Sequence, residues 1–227
     1  MIPQRTDIRS FLRARSPSSG INFCLPRFDG SLGAPVPLAE SVHGKFGYPS
    51  STFAERDAKS ALHVMHAVSG VVGDDAIEFT GPMEFMRRPE RDQISFVFGS
   101  RSNDAARWLL ERAKGPSLIR FEFGDTWKII GADGNIFSIP DPSTLDRDSY
   151  SAMTDFGVVA RLTIADRAAG VFLIAGLGGR ATEGCGAYVS RNWAELQSQF
   201  EDRDFAVVLA FPPPVSPERH KPVAWYS

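Results

Sequence analysis

Two glycine-rich turns constrain this chain more than any other feature. Each follows an apolar run and precedes a helical pattern. The first is Phe96-Val97-Phe98-Gly99-Ser100-Arg101-Ser102-Asn103. The second is Val171-Phe172-Leu173-Ile174-Ala175-Gly176-Leu177-Gly178-Gly179-Arg180-Ala181-Thr182. A strand that ends in glycine lets the next helix point its free N–H groups at an anion, usually a phosphate. Two such turns in one domain predict a nucleotide or other phosphorylated ligand lying across the ends of a parallel sheet. Gly99 leaves its strand without a Cβ clash. Ser100, Ser102 and Asn103 suit helix capping or donation to phosphate oxygens, and Arg101 presents a planar fork for an anion. In the second turn, Gly176, Gly178 and Gly179 exceed what a plain turn needs and permit close backbone approach to a ligand. Arg180 adds a cation and Thr182 a hydroxyl. Arg161, inside an apolar run, requires a partner, either Asp155 or a ligand phosphate.

The remaining pattern predicts an α/β chain. A short basic helix is expected over 7–15 and a first strand over 21–25, within an otherwise irregular arm, 1–50, that holds Pro35 and Pro37. A helix capped by Ser50 or Ser51 runs to Val72, with Phe53, Ala54, Ala58, Ala61, Leu62, Met65, Val68 and Val72 at helical spacing. Then come a strand over 76–80, a helical turn over 83–86, a strand over 93–98 and a helix over 103–114 with Ala106, Leu109, Leu110 and Ala113 inward. A strand over 118–123 leads to a hairpin, 126–130 with 135–139, about Gly131-Ala132-Asp133-Gly134. An acidic loop over 140–154 precedes paired strands over 157–164 and 170–175, a helix over 182–200 and a strand over 205–211. Pro212-Pro213-Pro214 ends the domain, leaving a tail to Ser227 that reads as a strap or loose. The expectation is a Rossmann-like three-layer α/β fold with a mixed, mainly parallel sheet over 51–211. Its strand–helix units at 93–114 and 170–200 are expected to cross over right-handed.

Composition narrows the partners. The net charge is −2 from 25 basic and 27 acidic residues, with no long basic run, so a nucleic-acid backbone is a poor default. The longest apolar stretch, 169–177, is too short to span a bilayer, and no apolar segment follows the first basic residues. Cys24 and Cys185 form no C-x-x-C pair, which suits a reducing, cytoplasmic setting and argues against a cysteine metal site. His63 and His66 read as a helix surface or packed rings, and Asp141, Asp146 and Asp148 do not match a calcium loop. No nucleophile elbow, P-loop lysine or H-E-x-x-H helix occurs.

The Val97-Phe98-Gly99-Ser100 strand end and the later Gly178-Gly179-x-x-Thr182 turn resemble the SLOG superfamily. This Rossmann-like group includes the lysine-decarboxylase-like LOG phosphoribohydrolases. Gly99 and Ser100 match its early Gly-Ser turn. Gly178, Gly179 and Thr182 match its later Pro-Gly-Gly-x-Gly-Thr-x-x-Glu turn. Ala175 and Gly176 stand where the family has proline, Ala181 replaces its third glycine, and Glu183 directly follows Thr182. The family's catalytic Arg and Glu therefore have no matched positions. The similarity spans 93–211. The chain also resembles bacterial domains with a Gly-Ser/Gly-Pro-Arg-Ser-Asn turn, an Asp-Tyr/Phe-Gly segment and an Ala-Gly-x-x-Gly-x-x-Thr turn. That resemblance implies ligand sensing in defence or signalling and brings no substrate.

Three functions follow as expectations. The first is nucleotide binding between the two turns, with Arg101, Arg180 and Arg161 neutralising phosphates and no further cofactor. Asp125 and Trp127 are placed either to meet a base or ribose or as plain edge-strand residues. The second is hydrolysis of an N-glycosidic or phosphate bond, with Glu183 or Asp155 as the acid–base group. The third is an interaction module whose loop 30–49 and tail 212–227 dock a partner protein. Self-association is left open.

Overall fold

The structure is a computed structural model and describes residues 7–14, 20–28, 52–53, 55–69, 76–87, 93–165, 167, 169–214 and 216–227. The first half of the chain runs α1 (Ile8–Leu12), β1 (Ile21–Cys24), β2 (Arg27–Phe28), β3 (Thr52–Phe53), α2 (Glu55–Val68), β4 (Ile77–Thr80), α3 (Pro82–Arg87), β5 (Ile94–Phe98) and α4 (Asp104–Arg112). There follow β6 (Ile119–Glu122), β7 (Thr126–Gly131), β8 (Ile136–Pro140), α5 (Arg147–Ser151), β9 (Asp155–Leu162), β10 (Val171–Gly176), α6 (Gly179–Phe200), β11 (Phe205–Phe211) and β12 (Lys221–Tyr226). The fold is mixed α/β. Seven strands form one sheet in the order β12-β11-β9-β10-β5-β1-β4. The β10-β5-β1-β4 half is parallel, and β9, β11 and β12 join by antiparallel pairing. β6, β7 and β8 form a separate antiparallel sheet.

The inner strands are buried from end to end, as strands covered on both faces must be. Alternation divides their side chains cleanly. Phe23, Phe96, Phe98, Phe172, Val207 and Phe211 join one core with α1, α2 and α6. Val97, Leu173, Ala175, Val158, Ala160 and Val208 join the other with α3, α4 and the small sheet. The aromatic face thus takes the two longest helices, α2 and α6, together with the short α1, and the face of smaller residues takes α3, α4 and the small sheet.

The crossovers do not all share one hand. The links β1–α2–β4 and β10–α6–β11 run in opposite directions along the sheet, yet α2 and α6 cover the same face. Parallel connections so arranged have opposite hands. The link β4–α3–β5 runs in the α6 direction on the other face and so shares the hand of the α2 link. A right-handed form therefore does not hold for all three. Unit 93–114 makes no simple crossover, because β6 to β9 intervene before β10.

Local corrections also have physical reasons. The buried stripe of α2 is Asp57, Ser60, Ala61, Val64 and Val68, whereas Leu62 is exposed. The 140–154 segment holds a 3-10 turn (Pro142–Thr144) and α5, each capped by an aspartate, Asp141 and Asp146. The tail supplies β12, with Pro222 tolerated on an edge strand. Residues 30–49 and their aromatic loop lie outside the described residues. Among the described residues no helix is long and apolar enough to cross a membrane, and no three His, Cys, Asp or Glu side chains group to hold a metal.

Candidate functional site

β5 and β10 are parallel neighbours, so the two glycine turns adjoin. The Gly99 N–H donates to the Ile174 carbonyl at 3.0 Å, and the Ser100 hydroxyl donates to the Gly176 carbonyl at 2.7 Å. Between these turns and the first turn of α2 lies a cavity of about 440 Å³. Its walls are Glu55, Arg56 and Asp57 of α2, residues 99–102, Trp127 of β7, and residues 176–179 with Thr182. It opens at the carboxyl ends of parallel strands, where α/β sheets commonly hold ligands.

Asp57 is the unusual group. It is 5% exposed and makes no hydrogen bond or ion pair among the described residues. Its Oδ2 lies 3.1 Å from the position a Cβ on Gly99 would take, and Gly99 has φ +85°. The backbone therefore favours glycine there, and a Cβ would crowd the Asp57 carboxyl. Burial pushes the Asp57 carboxyl up to about 6.

The second turn is occupied from within. α6 starts on Gly178, which has no side chain to cap it. Asp155, 23 residues earlier, takes that place. Its carboxylate accepts from the backbone N–H groups of Gly178 (3.1 Å), Ala181 (3.3 Å) and Phe156 (2.8 Å), and from the Tyr150 hydroxyl. Burial pushes Asp155 up to about 6, against the opposing pull of these bonds. The amides expected to receive a phosphate thus receive the chain's own acid. The glycines serve the same packing: a Cβ on Gly176 would lie 2.4 Å from the Thr182 nitrogen, and one on Gly178 would lie 2.2 Å from the Tyr150 hydroxyl. Gly179 instead faces the Arg56 side chain, at 3.1 Å. Thr182 braces the turn, its hydroxyl accepting from the Gly176 N–H at 2.9 Å. Gly186 lets α6 lie against α2, since a Cβ there would meet the Ser60 hydroxyl at 2.3 Å.

The other expected residues divide. Asn103 is 1% exposed and caps α4, accepting from the Ala105 N–H at 3.0 Å and donating to the Phe98 carbonyl at 2.8 Å. Arg101 lies 5.0 Å over the Trp127 ring and 3.7 Å from the Asp141 carboxylate, on the rim of the cavity. The backbone N–H groups of Ser100, Arg101 and Ser102 make no hydrogen bond among the described residues. The Trp127 Nε1 is buried without a hydrogen bond of good geometry among the described residues; it contributes, after Ser143 and Arg101, to holding the Asp141 carboxyl below its ordinary value. Arg180 turns away, donating to the Ser151 hydroxyl at 2.7 Å and lying 5.3 Å over the Tyr150 ring. Glu183 is ion-paired with Arg56. Asp125 is exposed.

Arg161 does not reach the site. It sits six residues along β9 from Asp155, about 20 Å at strand rise. Its guanidinium donates to the carbonyls of Phe11 (3.0 Å), Arg203 (2.8 Å) and Glu201, and to the Gln197 side chain (3.0 Å). Burial lowers its pKa to about 10. Its partner is neither Asp155 nor a ligand but the main chain that joins α1 to the α6–β11 corner.

Asp57, Arg56 and Tyr150 were absent from the sequence expectation. One signal existed for Asp57: it precedes Ala61, Val64 and Val68 by four, seven and eleven residues, which sets a charged group on the inward stripe. Tyr150, in an acidic polar stretch, carried none. No protein family, curated protein or solved structure matches the chain.

Proposed function

We propose that the cleft between the 99–102 and 176–179 turns binds a nucleotide-type small molecule, in a Rossmann-like, three-layer α/β domain. One observation carries this reading: Asp57, 5% exposed and with no hydrogen bond or ion pair among the described residues, borders a 440 Å³ cavity at the strand ends. Desolvating a carboxyl costs stability, and ligand sites are where such a cost is retained. The carboxylate is suited to accept from a sugar diol or a base amine. The amides of residues 100–102, which make no hydrogen bond among the described residues, then face a phosphate together with Arg101. Relative to the sequence expectation of an anion held between both turns, this reading keeps only the first turn as its site. A sensing role in defence or signalling is the biological setting that the resemblance implies.

Calorimetry and thermal unfolding with AMP, GMP and NAD test this. A bound nucleotide is expected to raise Tm by on the order of 5–10 °C at ~100 times its Kd. Asp57→Asn and Arg101→Ala should each weaken binding by about tenfold or more. No response to any of the three in the wild-type protein refutes the reading.

A second reading has its own support. A carboxyl pushed up to about 6 is matched to proton transfer near neutral pH. On this reading Asp57, rather than Glu183 or Asp155, assists water in cleaving an N-glycosidic bond. Free base released from NAD or AMP by wild-type protein, and not by Asp57→Asn, would distinguish turnover from binding.

A further inference from the structure

The Asp57 cavity has a neighbour. A second cavity, about 610 Å³, lies between α4 and β6, and Ser100 and Arg101 border both. Its outer walls carry Arg107 of α4, Arg120 of β6, and Phe121 and Phe123. Against the three guanidiniums stand Asp104 and Glu111. The two phenylalanine rings stack at 5.9 Å and 9°, and Phe123 remains 39% exposed. Arg107 pairs with Asp104 at 2.8 Å and Arg120 with Glu122 at 3.3 Å, all four side chains being largely open to solvent. Exposed pairs of this kind are weak and exchange readily for a better anion.

We propose that the two cavities form one composite cleft for a ligand of the dinucleotide class, two nucleosides joined through phosphate; this rests on the reading of the Asp57 cavity given above. One nucleoside sits at Asp57. The linking phosphates sit at the shared wall, against Arg101 and the backbone amides of residues 100–102. The second nucleoside lies against Phe121 and Phe123, with Arg120 beside it. Each cavity alone is in the size range of a small-molecule site, roughly 300–1,000 Å³. A mononucleotide needs only one of them. The chemistry of the second cavity, aromatic faces beside guanidiniums, suits a base with an adjoining phosphate.

Calorimetry on the full chain with NAD, linear diadenylate and AMP tests the proposal. The two dinucleotide arms separate a pyrophosphate linkage from a phosphodiester. At least one of them should bind about tenfold or more tightly than AMP. Arg120→Ala and Phe123→Ala change exposed side chains and should each lower dinucleotide affinity by about tenfold, leaving AMP within about twofold. Asp57→Asn should weaken both ligand sizes. If AMP binds but neither dinucleotide binds better, or if Arg120→Ala and Phe123→Ala change nothing, the composite cleft is overturned while the Asp57 site stands. If neither AMP nor a dinucleotide binds the wild-type protein, the underlying site reading fails and this inference with it.

Discussion

Asp57 places an energetic burden on the folded chain, and its sign is testable. Its carboxyl moves from 3.8 to about 6 on folding, with burial as the cause. Well below pH 3.8 the group is protonated in both states and costs nothing. As pH rises from 3.8 to 6 the unfolded chain releases its proton first, so folded stability falls across that window and then levels off. Asp57→Asn removes the charge and keeps the shape. The variant should therefore be more stable at pH 7.5, by at most about 3 kcal/mol, and equal to wild type at about pH 2.5. Urea unfolding of both proteins at the two pH values checks this. Asp155 titrates in the same direction in both proteins, so it cancels in the difference. A variant less stable at pH 7.5 would mean that Asp57 is satisfied in the folded state. Gain of stability with loss of ligand affinity is the combination expected of a binding residue. At this scale the sequence exposes chemistry but not company. Arg161 signalled a need for partners, yet those partners are carbonyls from residues 11, 201 and 203 that no spacing rule connects to it.

Among the elements, the start of α6 depends on a residue outside the helix. Asp155→Ala leaves the Gly178 and Ala181 N–H groups and the Tyr150 hydroxyl without their acceptor. The expected cost is about 2–4 kcal/mol in denaturant unfolding, with faster hydrogen exchange at Ala181. Tyr150→Phe removes one contact to the same carboxylate and should cost about 1 kcal/mol. Unchanged exchange at Ala181 in Asp155→Ala would show that the cap is dispensable. The strands β5, β10 and β11 and the body of α6 were legible because continuous apolar runs and helical spacing are local signals. The glycine turn was legible as a turn and not as to its occupant, because the carboxylate that fills it comes from β9. β12 was hidden for a related reason. Lys221-Pro222-Val223-Ala224-Trp225-Tyr226 lacks a clean alternation, and only pairing with β11 makes it a strand.

In the whole molecule, β12 is what separates β11 from solvent at that side of the sheet. All seven residues of β11 are buried. A chain ending at Pro214 would present a long apolar strand edge, the usual route to self-association. Such a truncation should elute as larger species in size-exclusion chromatography with light scattering and should unfold at lower temperature; monomeric behaviour with unchanged Tm would show that β11 tolerates an open edge. The placement of α6 bears on the cleft just as directly. In mirror arrangement, its connection would pass over the α3 and α4 side, and α2 would lose its neighbour. Arg56 would then lack Glu183, and the Ser60 hydroxyl would lack the Thr182 carbonyl that it meets at 2.8 Å. The chirality of a single link thus fixes which acids and bases border the opening, and a redesign that moved α6 to the other side would dismantle the pocket without altering any strand.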